Sequence, residues 1–316
     1  MRIQKTKLDL LHCSIVFKLK TSFLRRSSHL LWRKARQGSS SHREEAPLSK
    51  QEKARNNASD LDYVKNYKPE NEAVRHIRVL LHCPVGVGKS TFINSVSSVV
   101  RRKVVIPALA SSDNSEISFT KEFKTHTIQR EGRGNIYPFV FNDVMGLEEG
   151  TGRGVHVNDI KLTLEGHVEE GYKFNPVSPL TPSDHGYVSQ PSPDDRVHVL
   201  VCLYSGNAGD MKDGFLQKMR EIREAASALG IPQIAVLTKI DQACGQVEKD
   251  LKNTFKSKYV KTKIEDFSRK VGIPLNCIFP MKNYCSETLL DDDVDTLILS
   301  VLRAIIDFGE AFANTL

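Results

Sequence analysis

The sequence lacks the features of membrane-spanning, disulfide-linked and zinc-binding proteins. None of its apolar runs reaches the roughly 18 residues that a transmembrane helix requires. It has 6 cysteines in 316 residues, and no two of them form a C-x-x-C pair, so a disulfide framework or a zinc site is not expected. Several cysteines lie inside apolar runs, where a thiol behaves as a small hydrophobic group. These absences favour a reduced, intracellular protein.

Negative charge is nearly absent from the first 40 residues, which contain ten Lys or Arg and one acid, Asp9. The whole chain carries a formal net charge of +7, so the residues after position 40 sum to −2. The excess positive charge therefore belongs to the N-terminal tail, and the rest of the chain lacks the basic face of a nucleic-acid-binding protein. We expect no nucleic-acid partner.

Residues 1–70 are predicted to form a basic, flexible extension followed by a linker. The first part is rich in Lys and Arg and carries scattered Leu, Ile and Phe together with Trp32. Three interpretations of it stay open: a flexible tail, a helix that contacts a membrane surface, and a mitochondrial targeting segment. Residues 38–60 are polar and are interpreted as linker.

Residues 71–316 alternate between short apolar runs and amphipathic segments, which predict buried strands and helices respectively. The predicted strands are 77–83, 123–130, 135–144, 197–206, 232–241 and 274–284, and the predicted helices are 89–100, 214–230, 247–271 and the C-terminal segment from Asp291. This order predicts an α/β domain with a mostly parallel sheet, one antiparallel strand from a hairpin, and helices on both faces. Residues 169–195 contain five prolines and are predicted to be a surface insertion.

The stretch CPVGVGKS, residues 83–90, matches the phosphate-binding loop G-x-x-x-x-G-K-[ST] except that Cys83 replaces the first glycine. It lies between a predicted strand and a predicted helix, where backbone N–H groups and the helix N-terminus bind phosphate. Lys89 would reach the β- and γ-phosphates, and the Ser90 hydroxyl would ligate Mg²⁺. The predicted phosphate-binding residues are Pro84, Val85, Gly86, Val87, Gly88, Lys89, Ser90, Thr91 and Gly146.

A second motif, DVMG at residues 143–146, ends an apolar strand of the predicted hairpin. Asp143 is expected to hold Mg²⁺, and the backbone N–H of Gly146 is expected to sense the γ-phosphate. A threonine upstream should close on the metal, as in the ordered switch segments of GTPases. Thr120 fits best, with Thr125 and Thr127 as rivals, so the predicted metal ligands are Ser90, Thr120 and Asp143.

The third motif, TKID at residues 238–241, predicts which base is bound. Guanine presents two adjacent N–H donors that one carboxylate can accept, whereas adenine has no such pair. Asp241 is therefore predicted to select guanine, and the stem of Lys239 is predicted to lie along the base. Thr238, the first residue of the motif, is also predicted to be a guanine-binding residue. An ATP-dependent kinase is an alternative that requires Asp241 to be incidental. In MKNY, the next strand end, Lys282 and Asn283 are predicted to border the base.

Together these motifs resemble a P-loop NTPase of the Ras-like G-domain class over residues 76–316. Four runs, PVGVGKSTFINSV, NDVMGLEEGTGRGVHVNDI, VLTKIDQ and DTLILSVLRAI, further resemble the interferon-induced protein 44 family over residues 70–312. The resemblance implies a cytoplasmic, GTP- or GDP-binding protein of innate immune and antiviral responses. Members often carry an N-terminal TLDc domain, for which residues 1–70 are too short and too polar. Homo-oligomers and immune-signalling or cytoskeletal partners are compatible with this resemblance.

Two residues predict slow hydrolysis, and no catalytic residue is assigned. Many GTPases place Gln directly after D-x-x-G to orient the attacking water, and here that position is Leu147. Val85 occupies a loop position where a branched side chain crowds an inserted arginine. Two hypotheses follow: a slow GTPase switch in which residues 111–127 and 146–166 order around the γ-phosphate, and a nucleotide-stabilised scaffold that assembles with itself or with antiviral partners.

Overall fold

The computed structural model describes residues 50–105, 122–130, 134–150 and 152–316, with only the backbone described for residues 50–56. The described residues belong to one compact unit, Leu48–Leu316. The predictions for residues 1–49 and for Thr120 lie outside the described residues. No helix in the described part of the chain is long and apolar enough to cross a membrane.

Six strands form one sheet in the order β2-β3-β1-β4-β5-β6. Every neighbouring pair is parallel except β2 with β3, which is antiparallel. The strands are β1 Ile77–His82, β2 Lys124–Gln129, β3 Ile136–Asp143, β4 Val199–Ser205, β5 Gln233–Thr238 and β6 Ile278–Pro280. The predicted α/β fold with one antiparallel strand is confirmed.

The strand sequences explain this order, because parallel strands covered on both faces need nearly continuous apolar runs. β4 has the sequence VLVCLYS, and all but its last residue are buried. β2 has the sequence KTHTIQ and buries only Ile128 completely, so it is suited to the sheet edge. The hairpin turn between β2 and β3 includes Gly134 at a φ of 80°, a conformation that favours glycine.

The helices cover the two faces of the sheet. They are α1 Lys50–Asn66, α2 Lys89–Arg101, α3 Val157–Glu165, α4 Asp213–Ala228, α5 Ile240–Ala243, α6 Gly245–Lys249, α7 Lys258–Val271 and α8 Asp292–Ala313. The C-terminal helix α8 packs on β1, β4, α2 and α1, whereas α4 packs against α3 and α7. Asp291 caps the N-terminus of α8, since its carboxylate accepts from the N–H groups of Asp293 and Val294 at 2.9 and 3.1 Å.

The single helix predicted over residues 247–271 is wrong. The chain breaks at Asp250, whose backbone is extended, and restarts at Ser257 as α7. The Asp250 carboxylate accepts from the N–H of Lys252, and the Ser257 hydroxyl accepts from the N–H of Val260. Short polar side chains that bond the nearby backbone favour helix starts over helix interiors, which explains the interruption.

Helix α1 lies before residue 71 within the compact unit, so the predicted boundary and the part of the predicted linker at residues 50–60 need correction. Helix α1 packs against α8, and several polar contacts join the two helices. Asn57 donates to the Asp292 carbonyl at 2.9 Å, and Arg303 pairs with Asp60 at 2.5 Å while lying 4.4 Å from the centre of the Tyr63 ring. A polar segment that binds through side-chain pairs carries no apolar periodicity, so its composition alone resembles a linker.

The Pro-rich segment 169–195 lies between α3 and β4, as predicted, and contains a 3-10 turn at Pro193–Asp195. It buries Phe174 and Leu180 and is fixed to the start of β1. The Asp194 carboxylate accepts from the backbone N–H of Arg75 at 2.8 Å and of His76 at 3.2 Å, and it also pairs with the Arg75 guanidinium. The segment is therefore anchored to the domain.

Candidate nucleotide-binding site

The loop 84–88 connects β1 to α2 at the carboxyl edge of the parallel strands. Gly86 and Gly88 have φ values of 79° and 105°, in the left-handed region that favours glycine. Gly88 caps α2 without a side-chain hydrogen bond, so no side chain occupies the cap at this helix N-terminus. A turn of this form directs backbone N–H groups and the positive end of the helix toward an anion.

Cys83 fits the first position of the loop because the backbone there does not need glycine. Among the described residues other than glycine, only Arg102 and Lys239 have a positive φ. The Cys83 side chain is buried, and burial raises the pKa of its thiol to about 11. The residue is therefore a neutral core group, and the departure from the usual motif leaves the loop geometry intact.

Lys89 joins the phosphate loop to the DVMG motif. Its Nζ lies 2.8 Å from Asp143 Oδ1 and donates to the Val144 carbonyl at 2.6 Å. A lysine that reaches bound phosphates is expected to be partly exposed, but both ionic side chains are almost fully buried, 9% and 3% exposed. Burial lowers the pKa of Lys89, but the Asp143 carboxylate, together with a contribution from Cys83, more than offsets this, so the pKa is raised and the ammonium stays charged.

The donor set around Asp143 suits Mg²⁺, a hard cation that prefers oxygen ligands and keeps several waters. Ser90 is half-buried in the first turn of α2, and Asp143 ends β3 opposite Leu81 of the neighbouring β1. The described residues contain no cluster of three or more His, Cys, Asp or Glu. The ion would therefore be held by Ser90 and Asp143 together with phosphate and water, as is usual for Mg²⁺.

Thr125 and Thr127, the two alternatives to Thr120 as a metal ligand, lie on β2, and their contacts do not indicate a metal site. The Thr125 hydroxyl donates to Glu170 at 2.5 Å and accepts from Asn142 at 2.8 Å, so it is held within the sheet. Thr127 is exposed and pairs with Val140, in the interior of β3. On the same strand, His126 Nε2 lies 3.9 Å from Asp143 Oδ2, a neighbour that the motif spacing did not indicate.

Gly146 packs directly against the phosphate loop. A Cβ at this position would lie 2.8 Å from Val85 Cγ2 and 3.4 Å from the Val85 nitrogen, so any side chain here would force Val85 to shift. The next residue, Leu147, is buried and donates its N–H to the Cys83 carbonyl at 2.9 Å. Its side chain belongs to the core and has no polar group with which to orient water.

The TKID motif is fastened to the phosphate loop by two side chains. The Thr238 hydroxyl donates to the Val87 carbonyl at 2.9 Å, and Lys239 Nζ donates to the Gly86 carbonyl at 3.0 Å. Lys239 has a φ of 55°, a conformation that turns the chain between β5 and α5. Asp241 follows on α5, half-buried. The predicted base-binding and phosphate-binding motifs are thus parts of one site.

The loop after β6 completes the same edge. Lys282 Nζ pairs with Glu287 Oε1 at 2.9 Å. Burial lowers the pKa of Lys282, but the nearby carboxylates more than offset this, so its pKa is raised overall. Glu287 contributes most of the increase and Asp241 contributes less, which indicates that Asp241 lies near this loop. Asn283 is 6% exposed, and its Nδ2 would lie 3.5 Å from a Cβ added at Gly88. Its buried Oδ1 has no hydrogen-bond partner, so an acceptor remains beside the phosphate loop.

Sequence reasoning missed how this loop is held. The backbone N–H of Tyr284 bonds the Ser95 hydroxyl of α2 at 2.9 Å, and the Tyr284 hydroxyl donates to Asp295 of α8 at 2.6 Å. Arg102 pairs with the other oxygen of Asp295 at 2.8 Å. These residues are distant in sequence and belong to no nucleotide motif, so no local pattern could reveal them.

Comparison with solved structures identifies GTP-binding proteins of low similarity. Toc33 from Arabidopsis thaliana, crystallised with GDP and Mg²⁺, is 15% identical with a TM-score of 0.44, over 83% of this chain and 93% of that protein. A probable GTP-binding protein, engB, is 15% identical with a TM-score of 0.36, over 73% of this chain and 99% of that protein. Because these scores are low, the fold assignment depends on the sheet topology described above.

Comparison with curated proteins is more specific. Interferon-induced protein 44-like from Homo sapiens is 31% identical over 254 residues, which are 80% of this chain and 56% of the relative. Interferon-induced protein 44 from Mus musculus is 33% identical over 257 residues, which are 81% of this chain and 60% of the relative. No family model matches the sequence. The chain spans little more than half the length of these relatives, and its matched stretch, about four fifths of the chain, belongs to the interferon-induced protein 44 family.

Proposed function

We propose that the protein binds GTP and GDP together with Mg²⁺. One observation carries this proposal: Thr238 and Lys239 bond the carbonyls of Val87 and Gly86, which fastens the base-selecting motif to the phosphate loop. The two motifs are about 150 residues apart in sequence, so a chance pair of short patterns would not converge in this way.

Guanine selection is assigned to Asp241. Its carboxylate can accept both the N1–H and the exocyclic amine of guanine, which are charge-assisted hydrogen bonds. Adenine offers no donor pair in this place and would leave the carboxylate without partners. Asn283, with an unpaired buried oxygen beside Gly88, and the neighbouring Lys282 border the base.

Phosphate binding is assigned to the N-terminus of α2 and to Lys89. The left-handed turns at Gly86 and Gly88 leave the backbone open to the phosphates. Lys89 lies between the loop and Asp143, from where its flexible stem brings the ammonium to the β- and γ-phosphates. Mg²⁺ would supply charge neutralisation between these phosphates, held by Ser90 and Asp143.

Hydrolysis is proposed to be slow. Leu147 is buried where many GTPases carry the residue that orients water, and Val85 packs against Gly146 on the γ-phosphate side. The same observations favour a second candidate, a nucleotide-stabilised scaffold that assembles with itself and barely turns over. From the family relationship we further propose an interferon-induced role in antiviral defence, in the cytoplasm.

Direct titration tests the proposal. Purified full-length protein is titrated with GTP, GDP and ATP in the presence and absence of Mg²⁺, and phosphate release is then followed at several protein concentrations. The Asp241→Asn variant should bind guanine nucleotides more weakly, whereas Asp266→Asn, which changes a partly exposed acid of α7 paired with Arg269, serves as the control. Equal competition by ATP would refute the base assignment, and concentration-dependent assembly without phosphate release would favour the scaffold.

A further inference from the structure

The segment that begins at Gly146, the last residue of the DVMG motif, and ends at Val155 is here named the 146–155 loop. Its described residues, 146–150 and 152–155, bring the two ends of the segment together. At the start, Leu147 forms bridges with both Pro84 and Gly154. At the end, the N–H of Val155 donates to the Gly146 carbonyl at 3.3 Å. The two ends of the loop are thereby joined beside the phosphate loop.

The closure is tight enough to require glycine at position 154. Gly154 has a φ of 65°, and a Cβ there would lie 2.5 Å from the Glu148 nitrogen and 2.6 Å from the Gly146 carbonyl oxygen. Real Cβ atoms do not approach backbone so closely, so any other residue would force the loop open. Gly150 and Gly152 also have positive φ values, and a glycine-rich loop has much conformational entropy to lose on ordering.

Lys218, on helix α4, binds the backbone of this loop. Lys218 Nζ, on α4, donates to the carbonyls of Glu148 at 2.7 Å, Gly150 at 3.1 Å and Arg153 at 3.4 Å. An ammonium has three N–H donors, and these three carbonyls can accept all of them. Lys212, just before α4, instead contacts the loop through the Glu149 side chain at 2.6 Å.

The environment of Lys218 differs from that of a solvated surface lysine. Burial lowers its pKa, and the carboxylates of Glu148 and Glu221 only partly oppose this effect. A partly desolvated ammonium needs hydrogen-bond acceptors, and here the acceptors are backbone groups of the loop. The contact therefore constrains the backbone path itself and would be insensitive to side-chain changes within the loop.

We infer that Lys218 is a positioning residue, which holds the 146–155 loop in the conformation that presents Gly146 to the γ-phosphate of a bound nucleotide. This inference rests on the proposed function. A loop already ordered by Lys218 loses little entropy when the γ-phosphate binds, which is the advantage of preorganisation. GDP lacks that phosphate, so its affinity should depend on Lys218 much less.

The test compares Lys218→Met with Lys212→Met in the full-length chain. Methionine keeps the apolar stem and removes the ammonium, and Lys212 supplies a matched lysine whose contact is with a side chain. Hydrogen–deuterium exchange of residues 147–155 is measured without nucleotide, and the affinities for GDP and for a non-hydrolysable GTP analogue are measured with Mg²⁺. A second variant, Lys218→Gln, is used if the methionine variant does not fold.

Lys218→Met should accelerate hydrogen exchange in the loop at least about tenfold. It should also weaken binding of the GTP analogue about five- to tenfold relative to GDP, because the loop then loses its conformational entropy only when the γ-phosphate binds. Lys212→Met should change neither. Unchanged exchange, or equal loss of both nucleotides, would overturn the positioning role. If the wild type binds no nucleotide, the proposed function fails and the γ-phosphate role with it, while exchange still decides whether Lys218 orders the loop.

Discussion

The buried pair between Lys89 and Asp143 makes a sharp prediction about stability. Lys89→Met removes an ammonium that is 9% exposed and leaves the Asp143 carboxylate, 3% exposed, without its 2.8 Å partner. Removing one member of a buried ion pair costs about 3–5 kcal/mol, because the remaining charge is desolvated and uncompensated. Domains of this kind are stable by only about 5–15 kcal/mol, so Lys89 has a structural role besides the phosphate binding that we propose.

The double variant Lys89→Met/Asp143→Asn separates the two roles. Replacing both charges removes the uncompensated carboxylate, so we expect recovery of most of the lost stability, to within about 1–2 kcal/mol of the wild type. Nucleotide binding should stay lost in both variants, since neither has the phosphate-binding ammonium. Asp143→Asn alone tests the converse case. It leaves the Lys89 ammonium buried without its carboxylate partner but still bonded to the Val144 carbonyl.

Urea unfolding of the nucleotide-free proteins is the assay. Lys270→Met is the control because Lys270 is 34% exposed and its ion-pair partner Asp210 is 92% exposed, so this pair is not buried. Equal slopes with a shifted midpoint would show that stability itself changed. The reasoning is refuted if Lys89→Met costs less than about 1 kcal/mol, the value typical of an exposed pair. It is also refuted if the double variant is no more stable than Lys89→Met.

Three further predictions concern binding, boundaries and rate. Asp241→Asn should weaken GTP and GDP by about 2 kcal/mol, as expected for lost charge-assisted hydrogen bonds, and calorimetric titration measures this. Deleting residues 1–49 should leave GTP affinity unchanged, whereas deleting residues 1–66 should lower the thermal midpoint because α1 packs on α8; equal midpoints for the two truncations would contradict this. Intrinsic hydrolysis should be no faster than about 10⁻⁴ to 10⁻³ s⁻¹, and Leu147→Gln should help little, because Val85 still packs against Gly146. Single-turnover phosphate release checks the rate, and fast turnover independent of protein concentration would show that a residue of the same chain positions the water.

The fold could be predicted from the sequence wherever one segment carried its own signal. Apolar runs such as β4 specify buried strands, and the Gly-rich turn between β2 and β3 specifies the hairpin. The interruption at Asp250 could not be predicted with the same ease, because apolar periodicity continues on both sides of it. Helix α1 was missed because its stabilising contacts, such as Arg303 with Asp60, come from a distant helix.

In the candidate site, too, some features could be predicted from the sequence and others only from the tertiary structure. Motif spacing alone indicated Lys89, Asp143 and Asp241, because phosphate, metal and base each require particular groups at fixed places along strand ends. Only the tertiary structure decided that Lys89 is buried against Asp143 and that Thr125 is held by Glu170 and Asn142.

The sequence by itself predicted the six strands of the sheet, the phosphate-loop motif, and the acid that we propose selects guanine. These features depend on residues that are close in sequence, so local patterns reveal them. The tertiary structure decided which charges are buried, how the loop after β6 is fixed by Ser95 and Tyr284, and that Lys218 binds the carbonyls of the 146–155 loop. Those contacts join residues tens to hundreds of positions apart, and a pattern along the chain cannot specify them because burial and hydrogen bonding are set only when the sheet brings the elements together.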